Sequence, residues 1–269
     1  MSIMITGATG KLGGQILDLL QQRRLPDAEI AAGVRRPELI AGYTARDLPA
    51  RHCDYDLPET LKTAFAGISC LMFVSSPHPD DEVRLQQHRQ VVKAAREAGV
   101  GQIVYTSFAY AERASGPPAP LHLATERFIR EAGLSYTVLR NALYTDIVGA
   151  FDLQHAVQIG RLEAPPGDWR FNAVDRRDLA EAAAAVLAAP QQHRGASYEL
   201  TCPRAWSLPE LADAVTELTG APVSVHTSDV PHWIFRWLQG VDTRSVSSDL
   251  ERLIGRTATP LRTSLQSLM

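Results

Sequence analysis

Glycines 7, 10 and 13 stand in "TGATGKLGG", between a short apolar run and the first amphipathic segment. That spacing lets a chain turn tightly, lets phosphates approach bare backbone, and lets a helix pack close to the preceding strand. The helix start then offers free N–H groups to a pyrophosphate. The expected contacts are Gly7, Thr9, Gly10, Lys11, Leu12 and Gly13. A glycine-rich turn with no ligand is the alternative. About twenty residues on, where an acid would hold a ribose 2′-hydroxyl, the chain reads "GVRRPE". No carboxylate precedes Glu38, and Arg35 has the fork geometry to grip a 2′-phosphate. Two solvated arginines before a proline turn would read the same way. With Lys11 adding charge nearby, these residues predict NADP(H) over NAD.

His122 and Glu126 are the second chemical pair. Four residues apart, they share one helical face. The carboxylate could orient the imidazole and keep it partly protonated. His122 would then donate to a reduced oxygen or anchor a nicotinamide. A histidine at a helix start with a solvated glutamate is the bland alternative. No tyrosine is followed four residues later by lysine; Tyr136 and Arg140 have the spacing but sit in a strand-like run. Lysine occurs only at 11, 62 and 93, and the other 24 basic residues are arginine. Reducing a simple ketone leaves an alkoxide, comparable to deprotonated water with its pKa of about 15.7, which needs a proton at once. A quinone leaves a phenolate, whose parent titrates near 10, and that anion can wait for water. A triarylmethyl cation becomes neutral and needs no proton. The missing acid therefore points to activated, flat acceptors and away from ketones and sugars. His78, Phe108, Tyr110, Tyr144 and Phe151 are the candidate acceptor contacts, with Tyr144 joining His122 and Glu126 as a candidate catalytic residue. His78 could equally be solvated. Trp233, in "PHWIFRW", is expected to pack the C-terminal part, while Trp169 could pack or face an acceptor.

Such residues need a scaffold that brings loop ends together. Short apolar runs at 2–7, 28–34, 50–55, 69–76, 101–108 and 134–141 alternate with amphipathic stretches, including 11–22, 58–67, 81–100 and 121–133. This βαβα rhythm predicts an α/β, doubly wound parallel sheet of the Rossmann kind. Its carboxyl edge would then carry Asp54, Ser75, Ser76, Pro77, Thr106, Ser107, Asn141, Ala142 and Leu143 as further cofactor contacts. Residues 1–143 are expected as the NADP-binding domain. Residues 144–269, where the rhythm loosens, are expected to complete the sheet and form a small substrate-binding α/β cap. Within them 175–190 reads as a helix with Asp178 in its first turn, 196–201 as a strand, and 207–220 as a helix capped by Ser207.

The chain has 269 residues, 45% hydrophobic and 21% charged, with a formal net charge of −3. That balance argues against nucleic acid as a partner. The pairs Arg23–Arg24 and Arg176–Arg177 read as solvated helix ends. Three scattered cysteines suit neither a disulfide framework nor a metal site, and Cys70 reads as a buried small hydrophobe. The start lacks a signal-peptide pattern and the longest apolar run, 182–189, is too short for a bilayer. The expectation is a cytoplasmic monomer or homodimer acting on a small aromatic molecule.

The tracts "ITGATGKLGG", "GVRRPE", "CDYDLPETLKTAFAGIS", "YTSFAYAE" and "LHLATE…YTVLRNALYTD" resemble the NmrA-like branch of the short-chain dehydrogenase/reductase superfamily, and within it the triphenylmethane and type-2 quinone reductases. The resemblance resumes at "VDRRDLAEAAAAVL" and "AWSLPELADAVTELTG". It implies NADPH held by the glycine loop and Arg35, no Tyr–Lys pair, and reduction of quinones or cationic dyes. Some members of that branch are redox-sensing NADP binders without known turnover, and a tailoring reductase of an aromatic natural product is a third reading. The segments 160–172 and 225–247 look shorter than in the dye and quinone reductases.

Overall fold

Residues 1–229 and 233–268 are described by the structure, a computed structural model. The first part alternates strand and helix: β1 (Ser2–Ile5), α1 (Lys11–Arg23), β2 (Glu29–Val34), a short α2 (Ile40–Thr44), β3 (Ala50–His52), α3 (Pro58–Phe65), β4 (Cys70–Phe73), α4 (Asp81–Glu97), β5 (Gln102–Phe108), α5 (Ala119–Glu131) and β6 (Ser135–Asn141). Then follow α6 (Leu153–Ile159), β7 (Arg161–Ala164), β8 (Arg170–Phe171), α7 (Arg176–Ala188), β9 (Ser197–Leu200), β10 (Trp206–Ser207), α8 (Leu208–Thr219), β11 (Ser224–Thr227), α9 (Trp233–Leu238), α10 (Asp249–Ile254) and α11 (Leu261–Gln266).

Seven strands form one sheet in the order β3-β2-β1-β4-β5-β6-β9. The registers run parallel, with Ile3 opposite both Ile30 and Cys70, and Leu71 opposite Ile103. This is the expected Rossmann-like sheet. Strand order reverses at β1, where the chain leaves β3 and returns at β4. Outside the carboxyl ends of β1 and β4 lies the switch point at which such sheets bind ligands. All four residues of β4 are buried, as a strand covered by helices on both faces requires. Leu61 and Phe65 of α3, Val91 and Ala95 of α4, Phe73 and Tyr105 share one core.

The chain packs as two compact units, each made from several stretches. The first comprises 1–108, 120–140 and 180–198; the second comprises 109–119, 141–179 and 199–268 of the described residues. The expected boundary near 143 lies close to the change at 140/141, but most of α7 returns to the first unit. The second unit contains two small sheets that periodicity did not reveal: parallel β7–β11, from Arg161 opposite Ser224 to Ala164 opposite Thr227, and antiparallel β8–β10, with Phe171 opposite Trp206. Strands this short leave too few residues for a period to show. The segments 160–172 and 225–247 carry β7 and β8, and the end of β11 with α9, respectively.

Two expectations for the second unit, those for Trp233 and Arg176, need correction, while Asp178 lies in the first turn of α7 as expected. Trp233 is 68% exposed, because α9 buries Ile234, Phe235 and Leu238 on its opposite side. Asp178 is more than a helix-start charge. It is fully buried and accepts from the Arg256 guanidinium and from the Thr259 N–H and hydroxyl, at 2.6, 2.6 and 2.8 Å. Arg176 is not a solvated helix end, since its side chain is only 15% exposed. Ser207, by contrast, caps α8 as expected, in a reciprocal box with Glu210. No helix among the described residues is long and apolar enough to cross a membrane.

Candidate active site

β1 runs straight into the glycine turn. Gly7 has φ +60°, the left-handed region, and its carbonyl accepts from the Gly10 N–H at 2.9 Å. A β-carbon on residue 13 would stand 2.3 Å from the Gly7 oxygen, and one on residue 10 would stand 3.2 Å from it. Only bare backbone allows α1 to begin here. Gly10 is the N-cap, and no side chain caps the helix. The first N–H groups of a helix have no partners within it, so this turn ends in donors aimed past the sheet. Gly7, Thr9, Gly10 and Lys11 are exposed, while Leu12 and Gly13 are buried. Tyr43, which the sequence did not single out, donates to the Ala8 carbonyl at 3.2 Å and pins the loop. Arg35 and Arg36 stand exposed just past β2.

The edges of β4 and β5 are tied together by hydroxyls. The Tyr55 hydroxyl, with its one proton, lies 2.8 Å from the Val74 carbonyl and 2.6 Å from the Thr6 hydroxyl, and the latter accepts the Val74 N–H. Thr106 Oγ1 accepts the Ser75 N–H at 2.8 Å. Ser76 is buried; its hydroxyl bonds Gln87, whose amide donates to Asp56, and its N–H donates to His88 Nε2 at 2.9 Å. With Nε2 an acceptor, His88 carries its proton on Nδ1, toward Thr125 Oγ1 at 2.8 Å. Burial first, then the charges of His122 and Arg84, lowers His88 to about 2. Asp54 Oδ1 accepts the Asp56 N–H, so it shapes the turn before α3. Pro77 is exposed, and His78 Nδ1 accepts the Asp80 N–H at 3.1 Å. The expected edge residues are thus held here, with the Ser76 and Thr106 side chains engaged by the protein itself.

His122 and Glu126 do not pair. His122 Nδ1 lies 2.7 Å from the Tyr105 hydroxyl, and Phe108 stacks on its ring at 6.2 Å. Glu126 is fully buried. It accepts from Ser107 Oγ at 2.7 Å, from Arg140 Nε and Nη2 at 2.9 and 2.8 Å, and from Arg130 Nη2 at 2.9 Å. Burial alone would raise its carboxyl, but the bonds from Arg140 and Ser107 outweigh that and hold it below the usual carboxylate range. Burial, with Arg84 second, lowers His122 to about 3. The imidazole is therefore neutral, not partly protonated. The reason for the correction is competition: a two-point arginine contact holds a carboxylate more tightly than a neutral ring. Ser107, expected to face the crevice, gives its hydroxyl to this cluster.

In the second unit Asn141, Ala142 and Leu143 follow β6. Their backbone pairs with the Ala109 and Val174 N–H groups and with the Leu200 carbonyl. Asn141 Oδ1 is buried without a donor among the described residues. Tyr144 is raised by burial, offset by a bond to Asn141 and the charge of Arg176, whose guanidinium lies 4.8 Å from the ring centre. Tyr110 has φ +49°, unusual for an aromatic residue, and Arg113 stacks on it at 4.8 Å. Phe151 is a correction. It is 5% exposed, and its ring packs on Phe171 and Phe235 at 5.6 and 5.5 Å. Trp169 joins that core through Phe235.

Residues 7–190 match the family described as NAD(P)H-binding. The chain belongs to this family. Quinone oxidoreductase 2 of Escherichia coli (strain K12) is 36% identical over 225 residues, which cover 82% of this chain and 76% of that protein. The NADP(H)-bound triphenylmethane reductase of Citrobacter sp. superposes with a TM-score of 0.91 at 37% identity, over the full length of both chains. The NADPH-bound quinone oxidoreductase of Escherichia coli gives 0.86 at 30% identity, over 100% of this chain and 99% of that one.

The residues present suit the nucleotide of an NAD(P)H-binding family. A β-carbon at residue 13 would collide with the Gly7 carbonyl, so the turn can close on α1 only as bare backbone, and that helix has no side-chain cap at its start. Thr6, Tyr43, Tyr55 and His88 escaped sequence reasoning because each supports the site through a partner distant in the chain. No local motif marks them.

Proposed function

We propose that this chain is an NADPH-dependent reductase of flat, conjugated acceptors of the quinone or dye type, working without a Tyr–Lys pair. The observation that carries the reading is the bare glycine cradle at the start of α1, in a chain that aligns end to end with two NADP(H)-bound reductases. Bound NADPH supplies a hydride. Gly7, Thr9, Gly10, Lys11, Leu12 and Gly13 hold the pyrophosphate by backbone, and Arg35 selects the 2′-phosphate. Asp54, Ser75, Ser76, Pro77, Thr106, Ser107 and Asn141–Leu143 line the cofactor side. His122 acts as a neutral hydrogen-bond donor in the tautomer in which Nδ1 accepts from the Tyr105 hydroxyl and Nε2 carries the proton. Glu126 does not move a proton in this reading; with Arg140 it fixes the helix that carries His122. His78, Phe108, Tyr110 and Tyr144 are retained as acceptor contacts. Most of the rate then comes from holding the acceptor in place.

Loss of NADPH absorbance with a panel of quinones, triarylmethyl dyes and simple ketones tests this. Consumption with the first two classes but not the ketones is expected. His122→Ala should lower quinone turnover while leaving NADPH binding intact. NADPH binding without consumption by any acceptor would instead favour a redox-sensing NADP binder.

A further inference from the structure

A groove of about 290 Å³ lies between α4 and α5, within the first unit. Arg89, Val92, Lys93 and Arg96 line it from α4, and Phe128 and Glu131 line it from α5. Positions 89, 93 and 96 are four and three residues apart, so the three cations share one helical face. All three are exposed. The Arg89 guanidinium lies over the Phe128 ring, 4.6 Å from its centre, a contact that attracts the charge without neutralising it. Among the described residues neither Arg89 nor Arg96 has a carboxylate within ion-pair distance, and Lys93 reaches only Glu97, at 4.0 Å with both ends more than half exposed. Three cations thus stand against a single lining carboxylate, Glu131, in a chain whose overall charge is −3. α4 leaves the carboxyl end of β4 and returns toward the start of β5. Its second half, with these cations, therefore lies toward the amino edge of the sheet, away from the cofactor crevice.

The volume is at the floor of the range for pockets that enclose a small ligand. Open and rimmed by unpaired cations, the groove suits side chains presented by another protein. We propose that it docks an acidic segment of a partner protein. One apolar side chain enters against Val92 and Phe128, and carboxylates on either side of it meet Arg89 and Arg96. Seven residues of helix set those arginines about 10 Å apart, which fixes the spacing of the two carboxylates. A second copy of this chain, in a two-fold contact, would set the same cations against each other. A bilayer surface would call for an apolar side chain that projects, whereas Phe128 is half-buried with Arg89 over its ring.

The probe is a fluorescein-labelled helical peptide with two glutamates seven residues apart and a leucine between them; its control carries lysines in place of the glutamates. Fluorescence anisotropy with the full chain at low salt should show binding of the acidic peptide alone, weakening as salt rises. Exposed ion pairs are individually modest, so Arg89→Glu combined with Arg96→Glu should lower the affinity roughly tenfold. Melting temperature and NADPH affinity should stay as in the wild type, because neither arginine lies on the cofactor side. Arg23→Glu combined with Arg194→Glu changes the net charge equally at exposed positions elsewhere and should leave peptide binding intact. Equal losses in the two double variants would reduce the effect to net charge and overturn the proposal. So would binding of neither peptide, or of both alike. Tighter binding to phosphatidylserine-containing vesicles than to the peptide, lost in the Arg89–Arg96 variant, would put a membrane on this face and overturn it. Dimerisation in sedimentation that the same variant abolishes would put a second copy there, with the same consequence. Should the charge reversal fail to fold, Arg89→Gln combined with Arg96→Gln carries the same test.

Discussion

Arg35 stands exposed just past the end of β2, in a stretch with no carboxylate before Glu38. If it holds the 2′-phosphate, its removal leaves that group without a charge-assisted partner, a loss of roughly 1.5–3 kcal/mol. Arg35→Ala should therefore weaken NADPH about ten- to a hundredfold and spare NADH, as calorimetric titration with both nucleotides would show. Arg36 stands next to it and should pull the effect toward the lower figure. Since the contact is far from the reacting carbon, the loss belongs in the cofactor KM and not in kcat. Equal losses for both nucleotides would assign Arg35 to folding. His122 and Glu126 show the limit of such residue-level reasoning. Their spacing is right for a pair, yet Arg140, fourteen positions from Glu126, takes the carboxylate.

At the scale of elements, the first strand–turn–helix depends on one missing methyl group. Gly13 packs against the Gly7 carbonyl so closely that a β-carbon would sit 2.3 Å from its oxygen, so α1 or the turn must shift. Overpacking of this kind costs roughly 1–3 kcal/mol. Gly13→Ala should lower the melting temperature and reduce NADPH affinity together, since the same turn serves both. Gly42, in α2, is the internal control: a β-carbon there meets nothing within 4 Å. Gly42→Ala should be neutral or stabilising by up to about 1 kcal/mol, with NADPH affinity unchanged. If the two variants behaved alike in melting and titration, the turn would not be the constraint described.

For the molecule as a whole, two buried neutral histidines set how stability responds to acid. His88 and His122 fall from an ordinary 6.5 to about 2 and about 3 in the folded state. Above about 6.5 both are neutral whether folded or not, and their environment costs nothing. As pH falls below that value, the unfolded chain takes up protons that the folded chain refuses, so stability drops. At pH 5 the penalty is about 2 kcal/mol for each histidine. The two rings are 6.5 Å apart, so the combined effect departs from simple addition. Below about 4.5 the depressed Glu126 adds a second loss in the same direction. Thermal melting followed from about pH 7 to about pH 5 should show a clear fall before the carboxylates titrate. A flat profile over that range would mean that both rings take up protons in the folded state, and a fall of about half the size that one of them does.

The sequence alone determined whatever one turn or one run of chain must do. A glycine at 13 is required by contacts only six residues away, and Ser207 caps α8 through Glu210, three residues on. A buried parallel strand covered on both faces is apolar throughout, so β4 is legible as a continuous run. The tertiary structure decided which side chains face one another. Tyr105 meets His122 across seventeen residues, and Asp178 meets Thr259 across eighty-one. Nothing in either neighbourhood encodes those pairings, because they arise only when separate helices and strands are packed side by side. Trp233 follows the same rule: its residue type suggested burial, but the orientation of α9 turned it outward. Backbone geometry is local and therefore readable, whereas the choice of partner belongs to the packed fold.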